Sequence, residues 1–280
     1  MAGAVVVTGA STGIGRAVAL RLASRGRRVF AGVRREQDGE ALAAEAAGIV
    51  PVILDVTDEH AVAAAAARIG QELGDEPLGG LVNNAGITVA GPLEFLPLDD
   101  LRRQLEVNLI GQVAVTQALL GRLRQARGRI VFTGSIGGRV PPPFLAPYAA
   151  SKAGIAAAAA SLRQELRPWG IAVSTVEPGS IDTPIWRKGA EAGEQLAARL
   201  PAEAHDLYAR PLGAMGEVSA KMSASAIPPE RVAEVVERAL TSRRPRSRYL
   251  VGRDARARFI LSRTLPDRAF DALVARMMGL

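Results

Sequence analysis

The sequence predicts an α/β protein in which seven parallel strands form one doubly wound sheet within a single domain. Short runs rich in Val, Ile and Leu alternate along the chain with longer stretches rich in Ala and Leu, as in βαβ units. The strand-like runs are apolar throughout, which is typical of strands covered by helices on both faces. A chain of 280 residues with 48% hydrophobic and 22% charged residues fits such a domain and excludes a disordered chain or a coiled coil.

The elements follow from this alternation in order. Strands are predicted over residues 4–8, 28–33, 50–54, 80–83, 129–133, 172–176 and 247–251. Helices are predicted where Ala and Leu recur at helical spacing, over residues 14–25, 38–47, 58–73, 98–126, 148–167 and 229–241. The domain is expected to cover residues 1–252. Within it, residues 182–227 exceed what a crossover needs and are predicted to be a helical insertion on the substrate side.

The net charge of +7 belongs to the end of the chain, because residues 241–280 hold ten Arg and three Asp. Residues 253–280 interleave Arg with apolar side chains, which predicts a basic amphipathic helical extension that docks on the body or on a second subunit. Peripheral contact with an anionic membrane is the less favoured alternative. No nucleic-acid partner is expected, because the basic stretch is short and has no base-reading motif.

Other residue types are informative through their scarcity. There is no cysteine, and the two histidines, His60 and His205, lie far apart, so no disulfide, thiolate chemistry or metal site is expected. No apolar run reaches the ~18 residues of a membrane-spanning helix. No basic leader precedes the first strand, so a cytoplasmic protein is expected.

A glycine cluster joins the first strand to the first helix, with the sequence Thr8-Gly9-Ala10-Ser11-Thr12-Gly13-Ile14-Gly15. Glycines there allow a sharp turn and the close approach of a pyrophosphate, whose charge the helix N-terminus stabilises. The spacing is G-x-x-x-G-x-G, which differs from the common G-x-G-x-x-G pattern. A dinucleotide site is predicted, and a plain strand-to-helix turn is the alternative for the cluster taken alone.

Further motifs stand at fixed places along the same framework. Asn83-Asn84-Ala85-Gly86 closes the fourth strand, Tyr148 and Lys152 are four positions apart, and Ser135 lies thirteen positions before Tyr148. Together with the glycine cluster, these motifs resemble the short-chain dehydrogenase/reductase family over residues 4–251. The resemblance implies a Rossmann-type fold, a nicotinamide cofactor, and a catalytic set of Asn108, Ser135, Tyr148 and Lys152.

The residue types fit that chemistry. Tyr148 and Lys152 lie one helical turn apart on one face. A free tyrosine titrates near ~10, but a lysine cation and a positive nicotinamide ring favour the phenolate, so Tyr148 is predicted to be the acid and base. Ser135 is predicted to donate a hydrogen bond to the substrate oxygen. By resemblance, Lys152 also binds the nicotinamide ribose, and Asn108 holds a water that relays protons to Lys152.

The choice of cofactor is predicted from the end of the second strand. An NAD enzyme usually carries Asp or Glu where this chain has Val33 followed by Arg34. A guanidinium matches a 2′-phosphate, so NADP(H) is favoured over NAD, with Arg34 as the main contact; the alternative is that Arg34 opens a solvated loop. The resemblance places the other cofactor contacts at Gly9, Ser11, Thr12, Gly13, Ile14, Gly15, Asp55, Val56, Asn83, Ala85, Gly86, Tyr148, Lys152, Pro178, Gly179, Ile181 and Thr183.

The substrate is expected to be apolar, because the segments flanking the predicted site are. Ile136, Phe144, Ile185 and Trp186 are predicted to line its pocket. The expected function is an NADP(H)-dependent oxidoreductase, in a homodimer or homotetramer, that interconverts a hydroxyl and a carbonyl on a lipophilic small molecule. The residues Val33-Arg34 and Glu177-Pro178-Gly179 resemble the steroid and retinol dehydrogenase branches. The alternatives are a 3-ketoacyl-carrier-protein-type reductase and a non-catalytic NADP-binding sensor.

Overall fold

The computed structural model describes residues 3–278. Its strands are β1 (Ala4–Thr8), β2 (Val29–Val33), β3 (Ile49–Ile53), β4 (Leu78–Asn83), β5 (Arg129–Thr133), β6 (Ala172–Pro178) and β7 (Arg248–Val251). Its α-helices are α1 (Gly13–Ser24), α2 (Glu36–Glu45), α3 (Glu59–Leu73), α4 (Leu98–Leu105), α5 (Gly111–Gln125), α6 (Ala146–Glu165), α7 (Pro184–Ala197), α8 (Ala202–Ala224), α9 (Glu230–Thr241), α10 (Arg253–Thr264) and α11 (Asp267–Met278). Single 3-10 turns occur at Leu93–Phe95, Ile136–Gly138 and Arg167–Trp169, and a π turn at Glu106–Ile110 joins α4 to α5.

All seven strands lie in one sheet, in the order β3-β2-β1-β4-β5-β6-β7. Each neighbouring pair is parallel. The predicted single-domain, doubly wound, Rossmann-type fold is therefore confirmed. From β1 the chain adds β2 and then β3 on one side of β1. It then crosses back to place β4 on the other side of β1 and continues outward through β5, β6 and β7. Ligands bind at such a reversal point, in the crevice at the carboxyl ends of the strands.

The core consists of two apolar layers, one on each face of the sheet. Side chains alternate along a strand, so Val5 and Val7 of β1 enter one layer while Ala4 and Val6 enter the other. Helices α1, α2 and α9 cover the first layer, and α3, α5 and α6 cover the second. Every residue of β1 is buried, which explains why the predicted strands are apolar without alternation.

The helix predicted over residues 98–126 is interrupted. A π turn at Glu106–Ile110 separates α4 from α5. Beyond it, α5 lies close to the segment after β3, because a Cβ on Gly111 would come within 2.6 Å of the Val56 carbonyl oxygen. Asn108 in the π turn and Gln112 in α5 are both fully buried. Such turns often occur at functional sites, and periodicity alone does not reveal them.

Two pairs of helices lie outside the repeating framework. Helices α7 and α8 follow β6 in the predicted insertion, and α10 and α11 follow β7 in the basic extension. Helix α11 contacts α8, and α10 contacts both β7 and the turn at Ile136–Gly138. No helix between residues 3 and 278 combines the length and apolar character that crossing a membrane requires.

Candidate active site

The turn between β1 and α1 depends on glycines. Gly9 and Gly13 have φ angles of +63° and +56°, in the left-handed region. A Cβ on Gly15 would lie 2.2 Å from the Gly9 carbonyl oxygen, so the first turn of α1 sits directly against the end of β1. The side chain of Thr12 at the N-cap makes no capping hydrogen bond. The amides at the start of α1 therefore remain available to an anion.

Hydrogen bonds hold this turn against the end of β4. The Thr8 hydroxyl oxygen accepts from the backbone amides of Asn84 and Ala85, at 2.9 and 3.0 Å. The Asn84 side-chain amide donates to the carbonyl oxygens of Thr8 and Gly9, at 3.1 and 3.2 Å. The sequence analysis missed these roles of Thr8 and Asn84, although the Asn83-Asn84 pair was a signal for them. The two central strands are thereby fixed to each other at the crevice.

The predicted cofactor contact Asn83 lies in the protein interior, beneath the lining of the cleft. Its side chain is fully buried and donates to Thr116 Oγ1 at 2.8 Å, and it does not line the cleft. Asn83 is the last residue of β4 and its side chain points into the interior, and its contact with the cofactor stays a prediction. Gly15 is likewise not part of the cleft wall, because it packs on Gly9.

Asn108 holds the segment after β4. Its side-chain oxygen, Oδ1, accepts a hydrogen bond from the backbone amide of Ile87 at 2.8 Å. Its amide nitrogen donates to the Ile87 carbonyl at 3.0 Å and to Ser151 Oγ at 3.1 Å, and Ser151 lies on α6 between Tyr148 and Lys152. Both side-chain donors are thus used within the protein. The side chain connects the segment after β4 to α6, and the role of Asn108 in holding a relay water stays a prediction.

Ser135, Tyr148 and Lys152 meet at one end of the cleft. Ser135 follows β5, and its Oγ accepts from the Gly137 amide at 3.0 Å. Tyr148 and Lys152 lie on α6, with Lys152 Nζ 5.8 Å from the centre of the Tyr148 ring. Lys152 Nζ donates to the Thr133 carbonyl at 2.8 Å. All three side chains are less than 9% exposed. The structure thus brings together three of the four residues predicted to be catalytic.

Burial controls the ionisation of these groups. It raises the pKa of Tyr148 above its ordinary value, and hydrogen bonding with Ser135 partly opposes that shift. Burial also lowers the pKa of Lys152 to about 8. The predicted effect of the lysine charge, which is to favour the phenolate, does not dominate in the protein alone. Desolvation raises the pKa of Tyr148 there, and the Lys152 ammonium donates to a backbone carbonyl.

The opposite end of the cleft carries Arg34 and Asp55. Asp55 Oδ1 accepts from the amide and hydroxyl of Thr57, at 3.0 and 2.7 Å. The backbone hydrogen bond from Thr57 is the main cause that lowers the pKa of Asp55, and the nearby Arg34 charge contributes to the same shift. Arg34 is exposed and forms no ion pair with the described residues, whereas Arg35 forms a two-point pair with Asp38 at 2.9 Å.

A cleft of about 510 Å³ connects the two ends, within the range of ligand pockets. Most of the predicted cofactor residues line it: Gly9, Ser11, Thr12, Gly13, Ile14, Arg34, Asp55, Val56, Ala85, Gly86, Tyr148, Lys152, Pro178, Gly179, Ile181 and Thr183. The buried hydroxyls of Thr88 and Thr133, whose residues line the cleft, have no partner among the described residues. Such orphaned groups and the open glycine turn fit a dinucleotide, and the sequence analysis had missed Thr88.

The predicted substrate residues divide into two sets. Ile185 and Trp186 line the cleft, and the Trp186 ring lies 5.9 Å from the Tyr148 ring. Phe144 does not line it and instead meets Tyr208 edge-on at 6.1 Å. Ile136 is buried against Val140 and Ala255. The Ile136 side chain therefore packs towards the extension, and its contact with the substrate stays a prediction.

Comparisons with known proteins agree with this geometry. The model of the short chain dehydrogenase family matches residues 3–193, well over half of the chain. The chain belongs to the short-chain dehydrogenase family. It is 38% identical to 17-beta-hydroxysteroid dehydrogenase type 6 of Bos taurus, over 97% of this chain and 87% of that one. It is 36% identical to retinol dehydrogenase 5 of Mus musculus, over 96% and 87%.

Similarity to solved structures extends over the whole fold. A short chain dehydrogenase from Burkholderia cenocepacia, solved in complex with NADP, superposes with a TM-score of 0.74 at 28% identity, over 99% of this chain and 98% of that one. This short-chain dehydrogenase is accordingly an oxidoreductase acting on CH–OH groups and the corresponding carbonyls of small molecules. The expected family membership and enzyme class are confirmed.

Proposed function

We propose that this dehydrogenase uses NADP(H) to interconvert a carbonyl and a hydroxyl on a lipophilic small molecule, with Tyr148 as the acid and base. The observation that carries the proposal is the cleft itself, which runs from the exposed Arg34, without an ion pair among the described residues, to the buried Ser135, Tyr148 and Lys152. NADPH, when bound, supplies the hydride. The residues of the chain supply the rest.

Tyr148 is proposed to move the proton. Its raised pKa keeps the phenol protonated at neutral pH, the state needed to donate to a carbonyl oxygen. Ser135 donates a hydrogen bond to the same oxygen, where negative charge develops. Lys152 keeps its proton below a pH of about 8 and provides the positive charge that favours loss of the Tyr148 proton.

Asn108 is proposed to hold other parts of the site in place rather than to contact the substrate. Its side chain bonds to Ile87 in the cleft wall and to Ser151 on α6, so it fixes α6 relative to the segment after β4. The distance between Tyr148 and the rest of the cleft depends on that connection. We therefore place Asn108 among the positioning residues and Ser135, Tyr148 and Lys152 among the catalytic ones.

Arg34 is proposed to select NADP(H) over NAD(H). It stands beyond the end of β2 without an ion-pair partner among the described residues, on the cleft that the glycine turn opens. A guanidinium binds a 2′-phosphate with charge-assisted hydrogen bonds. The solved relative from Burkholderia cenocepacia, which binds NADP, agrees with this choice.

The substrate is proposed to be apolar because Ile185 and Trp186 line the cleft beside Tyr148. Outside the cleft lining, Tyr208 meets both Phe95 and Phe144 edge-on and donates from its hydroxyl to Glu94 at 2.8 Å. The names of the steroid and retinol dehydrogenase relatives agree with a large apolar substrate.

Turnover on defined probes tests this proposal against the sensor alternative. NADPH oxidation is followed with phenanthrenequinone, a 17-ketosteroid, retinal and acetoacetyl-coenzyme A, and the products are identified by mass spectrometry. We expect reduction of at least one of the three apolar probes. Preference for the acetoacetyl thioester would favour the ketoacyl-type reductase instead. Tight NADPH binding without reduction of any probe would contradict the enzyme proposal and favour the sensor.

A further inference from the structure

The extension after β7 touches two loops of the candidate site. We propose that Asp254 and Phe259 of α10 are positioning residues for catalysis, with Asp254 holding the loop after β6 and Phe259 holding the loop that carries Ser135. This inference rests on the proposed function, because the catalytic role of Ser135 and the binding of NADP(H) in the cleft that Gly179 lines come from it. Neither α10 residue lines the cleft, so each acts through the loop that it contacts.

Asp254 contacts the loop after β6. Its Oδ2 accepts a hydrogen bond from the Ser180 amide at 2.8 Å. A Cβ on Gly179 would lie 2.3 Å from each Asp254 carboxylate oxygen, so the carboxylate sits directly on a residue that lines the cleft. The Gly179 amide donates in turn to the Val251 carbonyl at 2.9 Å. The start of α10 thus fixes Gly179 and Ser180 from outside the cleft.

Phe259 supports the loop after β5. Phe259 packs with Ala255 of α10 against Ile136 and Val140, which follow Ser135. The Arg139 guanidinium lies over the Phe259 ring, 5.5 Å from its centre. On the other side of the loop, a Cβ on Gly138 would lie 2.7 Å from the Lys152 carbonyl carbon. The loop is therefore held between α6, which carries Tyr148 and Lys152, and the extension.

A buried carboxylate links the two loops. Glu177, 1% exposed, accepts a hydrogen bond from Arg139 Nε at 2.6 Å and forms an ion pair with Arg248 Nε at 3.1 Å. Glu177 immediately precedes Pro178 and Gly179, while Arg139 belongs to the Ser135 loop and Arg248 to β7. Removing Arg139 would leave a buried carboxylate without this partner, which is strongly destabilising, so the pair ties the two loops together. The extension therefore contacts two active-site loops that this ion pair connects.

This arrangement predicts separable effects. Phe259 reaches the site only through the Ser135 loop, so its loss displaces the hydroxyl that stabilises charge during turnover. Small displacements of catalytic groups reduce rates by up to about 10²-fold. Asp254 reaches the site through Ser180 and through Gly179, which lines the cleft and is predicted from the sequence to contact the cofactor, so its loss is expected to weaken cofactor binding. A general loss of stability would lower both properties together.

The test compares full-length variants with matched controls from the same extension. Phe259→Ala is compared with Ile260→Ala, which changes a neighbouring side chain that is 59% exposed. Asp254→Ala is compared with Asp271→Ala, which removes an exposed carboxylate of α11. Asp254→Asn keeps an oxygen that accepts from the Ser180 amide and serves as the rescue variant. Phe259→Leu replaces the alanine variant if that one does not fold.

The readouts are the NADPH dissociation constant from fluorescence, kcat for reduction of phenanthrenequinone, and amide exchange at Gly137 and Ser180. We expect Phe259→Ala to lower kcat about tenfold or more, with faster exchange at Gly137 and NADPH binding within twofold of wild type. We expect Asp254→Ala to weaken NADPH binding about fivefold or more, with faster exchange at Ser180 and recovery in Asp254→Asn. Both controls should match wild type.

If kcat and the amide exchange at Gly137 are unchanged in Phe259→Ala, the inference for Phe259 is overturned. If NADPH binding is unchanged in Asp254→Ala, the inference for Asp254 is overturned. If kcat and NADPH binding fall together in both variants, in proportion to a lower melting temperature, the inference is overturned for both residues. A wild type that turns over no probe would contradict the proposed function instead, and amide exchange at Gly137 and Ser180 would still decide whether α10 positions the two loops.

Discussion

At the residue scale, Lys152 is a buried ammonium group in a site with few compensating contacts. Burial lowers its pKa from 10.5 to about 8, and its described hydrogen bond is to the Thr133 carbonyl. The folded protein therefore holds this proton less tightly than the unfolded chain does. Keeping the group charged costs stability at neutral pH, and a residue retained at such a cost is expected to have a function.

Replacing the charge should stabilise the protein while it abolishes activity. A shift of this size corresponds to about 3 kcal/mol, and about 1 kcal/mol is lost with the hydrogen bond, so Lys152→Met should raise the free energy of unfolding by ~2 kcal/mol at pH 7. The difference should shrink as the pH rises from about 8 towards 10.5, because wild-type Lys152 then loses its proton in the folded state. Urea unfolding at several pH values measures this. A methionine variant less stable than wild type would contradict the interpretation.

Arg34 and Arg35 give a second prediction at this scale, since they are adjacent and differ in pairing. Arg35 is bound to Asp38, whereas Arg34 faces the cleft. Arg34→Ala should raise the NADPH dissociation constant about 10- to 100-fold, as expected for a lost charge-assisted hydrogen bond, and should leave NADH binding unchanged. Arg35→Ala is the matched control and should change neither. Fluorescence titrations measure both cofactors, and equal binding of NADH and NADPH by the wild type would refute the choice of NADP(H).

At the element scale, the connection between α4 and α5 combines a regular helix pattern with an irregular turn. The sequence predicts a continuous helix over residues 98–126, because apolar residues recur at the right spacing on both sides of the turn. The π turn at Glu106–Ile110 depends on the close approach of Gly111 to Val56, a contact distant in sequence. The seven strands were predictable because each is apolar and short. The turn was not, because tertiary packing determines it.

The same contrast holds in the candidate site. The positions of Ser135, Tyr148 and Lys152 could be predicted because strand ends and helix spacing determine where they meet. The packing of Ile136 against Ala255 of α10 could not be predicted, because nothing in the sequence around either residue indicates that the two segments are in contact. Ile136 follows Ser135 directly, and the sequence does not reveal that its side chain points away from the cleft.

The hydrogen bonds of Asn108 between the segment after β4 and α6 predict that its removal lowers the stability of the protein. Asn108→Ala leaves the part-buried Ile87 amide without this partner and removes one hydrogen bond each from the Ile87 carbonyl, which still accepts from Gln104, and from the Ser151 hydroxyl, which still donates to the Tyr148 carbonyl. One unpaired amide costs about 1–3 kcal/mol and each further lost hydrogen bond about 1 kcal/mol, so we expect the free energy of unfolding to fall by ~2–4 kcal/mol. Gln117→Ala, an exposed change on α5, is the control and should have little effect. Denaturant titration of both variants decides, and equal stability would contradict the anchoring role.

At the scale of the whole molecule, topology determines where chemistry takes place. The reversal of strand order between β1 and β4 opens the crevice, and the glycine turn and the Thr8–Asn84 contacts line and fix it. Parallel strands place Arg34, Asp55, Ser135 and Gly179 at the same edge of the sheet, although they are distant in sequence. The start of the insertion lines the cleft through Ile185 and Trp186, and the extension contacts the loops after β5 and β6 from outside it.

The central claim is that Tyr148 supplies the proton, and one comparison tests it most directly. NADPH oxidation by wild type and by Tyr148→Phe is measured on the best apolar probe, with NADPH affinity determined in parallel. Phenylalanine keeps the ring against Trp186 but has no hydroxyl. We predict a fall in turnover of at least ~10³-fold, about 4 kcal/mol of barrier, with NADPH affinity unchanged. Turnover of Tyr148→Phe within about tenfold of wild type would contradict the account.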